Sequence, residues 1–463
     1  MRLSKIKLVF IFLGLAALII FLKRPWVSSP RVTVSPSAPG ISFPPAKQLP
    51  SDEAAFENLL RFYVQRLQRD PEDYSAQSKL AACYLQRVHE TSNEDFLALA
   101  KAAAVASLAS VAAERNTGGL FALTRAEFAN HEFSAARDHA LQLTRLAPDK
   151  GFSYAILGDA LLELGNYDEA IAAFLKMEQL DPGSVETETR LARWATLHGK
   201  ADDAQKHFAK TLFQLLEMSA PPRETVAWVR WQLGETAFAI GDYKNAERQY
   251  RDALITFPNY ARALASLGRL RAAGGDLREA MTHYQQAIQS VRAPDFVAAL
   301  GDLYQLEGNE KLARQWFKIV EELGQHSLQI HGTTHNRQLA LFHADHDLKI
   351  EESFTNAVSE YAVRKDVYGA DALAWTAFKS GRLTEAQAAI KEALRLGTQD
   401  AKLFYHAGMI SLAAGQKSVG VDYLKRALAL NPGFDPLQFS LAKKALQKNG
   451  VRGNIFNSPA AKQ

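Results

Sequence analysis

The chain has a single cysteine, Cys83, among 463 residues, which excludes an intramolecular disulfide and any multi-cysteine zinc or iron–sulfur site. It also has almost no net charge. The 54 basic and 50 acidic residues leave +4, and Lys and Arg are scattered among Asp and Glu, so no basic stripe marks a nucleic-acid surface. Strand-like alternation is scarce. There is no phosphate-binding glycine loop, HExxH helix, nucleophile-elbow serine or dinucleotide fingerprint, so nothing points to an enzyme or to a cofactor. What is abundant is apolar: 47% of residues are hydrophobic and 22% charged, the balance of a chain that folds around buried surface. At this length it must be several domains or one extended repeat structure.

Only one long hydrophobic run occurs, Leu8 to Leu22, preceded by Arg2, Lys5 and Lys7. That is the layout of a secretory signal or signal-anchor. Lys23, Arg24 and Pro25 stand where a small-residue cleavage site would be expected, so residues 1–24 read as an uncleaved, single-pass anchor. The run is short for a hydrocarbon core of about 30 Å, and snorkelling by Lys7 and Lys23 with Trp26 at the interface makes up the difference. The short N-terminal tail favours a body on the extracytoplasmic side of the cytoplasmic membrane. Residues 25–51 hold seven of the chain's 17 prolines, and this stretch reads as an extended Pro/Ser-rich spacer.

From residue 52 onward helical periodicity dominates and repeats itself. The clearest unit is residues 151–184, with Leu157 and Gly158 in a first helix, Gly165 and Tyr167 at a turn, Ala170 and Phe174 in a second helix and Pro182 ending it. Glycines recur at 165, 199, 241, 275, 308, 381 and 415, each with Ala or Gly five residues on. Pro148, Pro182, Pro258 and Pro432 stop second helices, because proline lacks the amide hydrogen and clashes with the preceding turn. The step from Gly199 to Gly241 is longer and implies an inserted loop around Pro221 and Pro222. The step from Gly308 to Gly381 leaves room for one divergent unit. This pattern resembles the tetratricopeptide repeat family, and with its N-terminal run the chain resembles membrane-anchored bacterial members of it. The expected fold is all-α: about ten hairpins over residues 52–434, starting with a capping helix at 52–70 and a first hairpin near 74–116 with a long loop at Glu90–Asp95. A helix from Pro436 to Lys448 and a tail complete residues 435–463. The resemblance implies a right-handed superhelical solenoid.

The resemblance also implies binding of a protein or peptide on the concave face, lined by first helices. Trp228, Trp231, Glu235 and Phe238 recur every three or four residues opposite Leu233 and Ala237, and Tyr368, Asp371, Trp375 and Phe378 do the same in a later unit, so both sets are expected to point into the groove. Aromatic residues bury large area with few rotors to freeze, which suits a binding surface. The alternative for both sets is packing between hairpins. Arg125, Arg193, Arg262 and Arg269 fall in first helices and read as solvated. Five of the 12 histidines, His326, His331, His335, His343 and His346, crowd into the divergent unit 326–347. His343, His346 and Asp347 lie three or four residues apart and could chelate a divalent ion in a metal-dependent hydrolytic site. The simpler reading is packing at a helix end, with Asp345 or Asp347 capping the helix that starts at Ile350.

Overall fold

A computed structural model describes residues 43–91, 93–331 and 337–451, all within one compact unit, Gly40–Gln463. The segment read as an anchor, residues 1–24, lies outside the described residues, as does the C-terminal tail beyond Val451. Among the described residues there is no strand, and no helix is long and apolar enough to cross a membrane.

Helix α1 (Glu53–Arg69) is the expected cap. Ten hairpins follow: α2 (Tyr74–Thr91) with α3 (Asp95–Ser110), α4 (Thr117–Ala129) with α5 (Phe133–Leu146), α6 (Gly151–Glu163) with α7 (Tyr167–Leu180), α8 (Val185–Leu197) with α9 (Ala201–Glu217), and α10 (Arg223–Ala239) with α11 (Tyr243–Thr256). The second half comprises α12 (Ala261–Ala273) with α13 (Leu277–Ser290), α14 (Pro294–Leu306) with α15 (Glu310–His331), α16 (Arg337–Asp345) with α17 (Ile350–Val363), α18 (Val367–Lys379) with α19 (Leu383–Ala393), and α20 (Ala401–Ala413) with α21 (Lys417–Leu430). Helix α22 (Pro436–Lys448) closes the described chain.

Local chemistry sets these boundaries. The side chains of Ser184, Asp242, Asp276, Asp366 and Asp435 each accept a hydrogen bond from a backbone N–H of the first turn they precede, satisfying a donor the helix cannot. Pro148, Pro182, Pro258 and Pro432 each sit two residues past a helix end. All seven turn glycines have φ between 68° and 86°, a left-handed conformation that is costly for any residue with a Cβ.

Close packing inside each hairpin explains the first-helix glycines. A Cβ on Gly158, Gly234 or Gly301 would clash with ring carbons of Phe174, Tyr250 or Phe317. Each ring lies sixteen residues on, in the second helix of the same hairpin. These large side chains therefore fill the space over the glycine within their own hairpin, not only the gap towards the next one.

Three expectations need correction. The long loop at Glu90–Asp95 is brief, because α2 continues through Thr91. The insertion near Pro221 goes partly into helix: α9 and α10 are 17 residues each, against 13 and 14 for α6 and α7. The spacer reading fails for residues 43–49. Leu49 is 5% exposed and packs with Phe208, Leu212 and Leu215 of α9 and Val226, Val229 and Leu233 of α10, with Phe43 partly buried against the same cluster. Two apolar side chains in a proline-rich strap suffice to seat it in the cleft that the lengthened helices create.

The array coils until hairpins about two hundred residues apart meet. The Tyr167 hydroxyl accepts from the Val367 N–H at 2.9 Å, the Thr398 hydroxyl donates to the Leu197 carbonyl at 2.5 Å, and Asn431 Nδ2 donates to the Phe238 carbonyl at 2.8 Å. Turns inside hairpins of the first coil thus carry the connections between hairpins of the second. Glu163, 4% exposed in its side chain, bridges the coils by accepting from Arg193 of α8 and from Arg364 Nε at 2.5 Å. Burial opposes its charge, but the two guanidiniums outweigh that and hold its pKa at about 2.

Candidate functional site

First helices α10 and α12 line one wall of a cavity of about 1180 Å³. The α2–α3 loop reaches the same cavity from the first hairpin, and residues of α14 to α16 from later ones, so the coil wraps around it. Trp231 and Glu235 line this wall, as do Arg262, Ser266 and Arg269, and Asp295 of α14 lines the same cavity.

The wall is held rigid by its own hydrogen bonds. The Trp231 indole N–H donates to Ser266 Oγ at 3.0 Å, and Ser266 donates in turn to Glu235 Oε1 at 2.8 Å. Glu235 also accepts from the Tyr250 hydroxyl at 2.7 Å and from Arg269 Nη2 at 2.6 and 2.7 Å. Burial works against the Glu235 charge, yet Arg269, Tyr250 and Ser266 together keep its pKa below the usual carboxylate value. Arg262 differs from Arg269. It is exposed, its guanidinium lies 5.1 Å from the centre of the Trp231 ring, and no carboxylate among the described residues comes within ion-pair distance of it. Burial raises the pKa of Asp295, which faces the same space. The cavity therefore offers a bound chain an indole with a guanidinium over it that no described carboxylate pairs, and the Asp295 carboxylate.

The remaining residues of the two aromatic sets lie elsewhere. Phe238 is 4% exposed, packed on Tyr243 and beneath the Arg269 guanidinium, and Trp228 packs edge-on against Phe208 of the preceding hairpin. Trp375 is 3% exposed and stacks on His406 at 4.1 Å, while its indole N–H donates to Asp345 at 2.7 Å. Asp371 is buried and accepts from His406 Nδ1 at 2.9 and 3.0 Å. Phe378 packs on Trp375, and Tyr368 packs against the cluster around Leu197 and Val367. A helix in a stack has neighbours on both flanks as well as a concave side, so a three-to-four spacing names a stripe without naming what covers it. Trp231 and Glu235 thus line the cavity, whereas Phe238, Asp371 and Trp375 are buried and Trp228, Tyr368 and Phe378 are half-buried against neighbouring side chains.

The arginines also depart from the solvated reading. Arg193 is committed to Glu163, and Arg269 to Glu235. Arg125 lies over the Phe121 ring at 5.7 Å, and burial followed by the neighbouring Arg190 charge lowers its pKa. Only Arg262 among the four behaves as expected.

Among its described residues the histidine-rich unit does not gather a metal site. His343 is fully buried, 3.3 Å from Glu321 through Nε2. His346 turns to Asp302 of the preceding hairpin at 2.7 Å, and Asp347 pairs with Lys379 at 2.5 Å. Three side chains with three separate partners do not converge, and no group of three or more His, Cys, Asp or Glu among the described residues is placed to hold an ion. His335 lies outside the described residues. The capping expectation is corrected too: α17 has Lys349 at its cap position with no side-chain bond, and Asp345 is taken by Trp375, Lys402 and Gln438. Asp347 instead supplies the left-handed turn, at φ 54°, where seven other units use glycine and α4–α5 uses His131 at φ 56°.

The profile of the family described as Tetratricopeptide repeat matches residues 121–185, 232–295 and 372–433. No curated protein matches the chain in sequence. Among solved structures, the chain is similar to PilW, titled a widely conserved type IV pilus biogenesis factor, with 16% identity and a TM-score of 0.38 over 44% of this chain and 90% of that one. It is also similar to a tetratricopeptide repeat protein from Parabacteroides merdae, at 18% identity and a TM-score of 0.31 over 58% and 99%. A third similarity is to the APC/C hetero-tetramer Cut9–Hcn1, at 12% and 0.35 over 86% and 94%.

Proposed function

Because three stretches of the chain match the tetratricopeptide repeat profile, we propose that it is a scaffold of that family holding a segment of another polypeptide against the α10–α12 wall of its cavity. The observation that carries this reading is the pairing of Trp231 with an unmated Arg262 on a wall otherwise fixed by hydrogen bonds. Tryptophan and arginine dominate binding hot spots, and a preorganised wall costs little to order when a ligand arrives. Glu235 positions the wall, and Asp295 adds a negative end to the same surface. The apolar run Leu8–Leu22 with basic residues before it supports a further reading, that residues 1–24 tether the scaffold to the cytoplasmic membrane, and the short N-terminal tail favours repeats on the extracytoplasmic side.

The test places a photo-cross-linking amino acid at the exposed position 292, which lines the same cavity and leaves Arg262 in place, and, for comparison, at the exposed position 311 of α15. Partner adducts are expected at 292 and not at 311, and Trp231→Ala should reduce them about tenfold or more, the loss of one hot-spot side chain. Equal adducts at both positions would exclude the wall as the contact surface.

A further inference from the structure

A buried arginine forms the floor of the cleft that residues 43–49 cover. Arg230 of α10 is 1% exposed, and a guanidinium so far from water needs its donors met and its charge balanced. Its Nη1 donates to Asp252 of α11 at 3.2 Å, its Nη2 donates to the Pro44 carbonyl at 3.2 Å, and its Nε–H has no acceptor. Asp252 also feels the charge of Arg248, whose guanidinium lies 5.4 Å from the centre of the Phe43 ring. Among the described residues, Asp252 is thus the one carboxylate paired with Arg230. Burial lowers the Arg230 pKa and raises that of Asp252, so neither charge is fully compensated by its present partners.

The occupant of the cleft is an extended chain held by two side chains and one carbonyl, the way proline-rich segments are commonly taken up. A neutral carbonyl is a poor match for an under-satisfied guanidinium, whereas a carboxylate can accept two of its N–H groups at once.

We propose that this cleft is a second peptide site, kept shut by the chain's own residues 43–49, and that it opens to an extended segment bearing an acidic side chain where the Pro44 carbonyl now sits and an apolar side chain in the place of Leu49. The strap acts as a tethered competitor: its short link to α1 raises its effective concentration, and the added charge–charge contact lets the acidic segment displace it. The site lies on α9, α10 and α11 and is separate from the Trp231–Arg262 wall.

The test uses the full-length protein and two synthetic peptides of residues 42–50, one with the native Pro44 and one with Pro44→Glu, both carrying Lys47→Gln so that trypsin leaves them intact. In the wild-type chain, trypsin cleavage after the exposed Lys47 reports release of the strap. Saturating Pro44→Glu peptide is expected to accelerate that cleavage several-fold, and the native peptide much less. In a chain carrying Leu49→Ser, the acidic peptide should bind at least tenfold tighter than to wild type and roughly tenfold tighter than the native peptide does, one charge-assisted contact in affinity. An unchanged cleavage rate in wild type overturns the proposal even if Leu49→Ser does not fold. Equal binding to both chains, or no binding to a folded Leu49→Ser chain, overturns it as well.

Discussion

The turns at Gly165, Gly199 and Gly241 and those at Gly275, Gly308, Gly381 and Gly415 carry one motif and one backbone conformation, yet they face different surroundings. A Cβ at Gly165 would run into the Lys365 carbonyl, one at Gly199 would stand 2.8 Å from the Gly397 carbonyl, and one at Gly241 would stand 3.0 Å from the Leu430 carbonyl. At Gly275, Gly308, Gly381 and Gly415 nothing lies within 4 Å. The first group is therefore glycine for two reasons, the local turn and the approach of the second coil. The second group is glycine for the turn alone. The comparison teaches that one motif can serve both the hairpin and the superhelix, and that only the first service is written within a repeat.

The sharpest way to break the comparison is to remove the charge that joins the coils. Glu163→Ala leaves Arg193 and Arg364 without their shared carboxylate and is expected to cost about 3–5 kcal/mol, the usual loss when one partner of a buried ionic group is deleted. Glu351→Ala removes the exposed partner of Arg382 beside the open turn at Gly381 and should leave the denaturation midpoint unchanged within error. The same pair separates with pH. The Glu163 pKa in the fold, about 2, lies below its ordinary value of 4.5, so the unfolded chain binds the proton first and the contribution, complete above pH 4.5, is lost as pH falls towards 2. About 2 kcal/mol should be gone by pH 3. Glu163→Gln should flatten that limb of the stability curve. A wild-type limb that persists in Glu163→Gln would show that the carboxylate does not hold the seam.

Substitution at the glycines themselves tests the two reasons separately. Gly308→Ala should cost about 1 kcal/mol, the left-handed penalty of a residue with a Cβ. Gly165→Ala pays the same penalty and also forces the Lys365 backbone away, for a total of roughly 2–4 kcal/mol. Equal losses in urea unfolding would mean the coils separate freely at this point.

The hairpins were legible in the sequence because they depend on contacts within one or two repeats. The thirty-four-residue rhythm, the turn glycines and the prolines after second helices each act through local backbone geometry, and the ten units fall close to where those residues put them. The seam was not legible, because Tyr167 meeting Val367 or Thr398 meeting Leu197 depends on how small rotations add up over six hairpins. The strap escaped for a related reason. Phe43 and Leu49 sit in a stretch whose prolines forbid a helix, and nothing in that stretch identifies a cleft near residue 230. Spacing put Trp231 and Glu235, which line the cavity, in the same class as Trp375, which does not. The difference is His406, which stacks on Trp375 from the next hairpin and belongs to no motif. The unpaired Arg262 was visible as a first-helix arginine, and only the positions of the acids distinguish it from Arg269.

The smallest expected effect lies at the far end of the seam. The Tyr243 hydroxyl donates to Asn431 Oδ1 at 2.6 Å and accepts from the Gly433 N–H at 2.8 Å, and burial pushes its pKa up to about 12, so it stays neutral and able to donate throughout the range in which the protein is folded. Tyr243→Phe keeps the ring that packs on Phe238 and removes only this junction. The cost should be about 1 kcal/mol rather than more, because Asn431 Oδ1 keeps the Gly433 N–H at 2.9 Å and its amide keeps the Phe238 carbonyl. Hydrogen exchange localises the change: the Gly433 amide should exchange faster, while the Val367 amide at the other end of the seam is unaffected. If both amides speed up together, the seam opens as one cooperative unit, and the three turn glycines that face it act as a single joint instead of three.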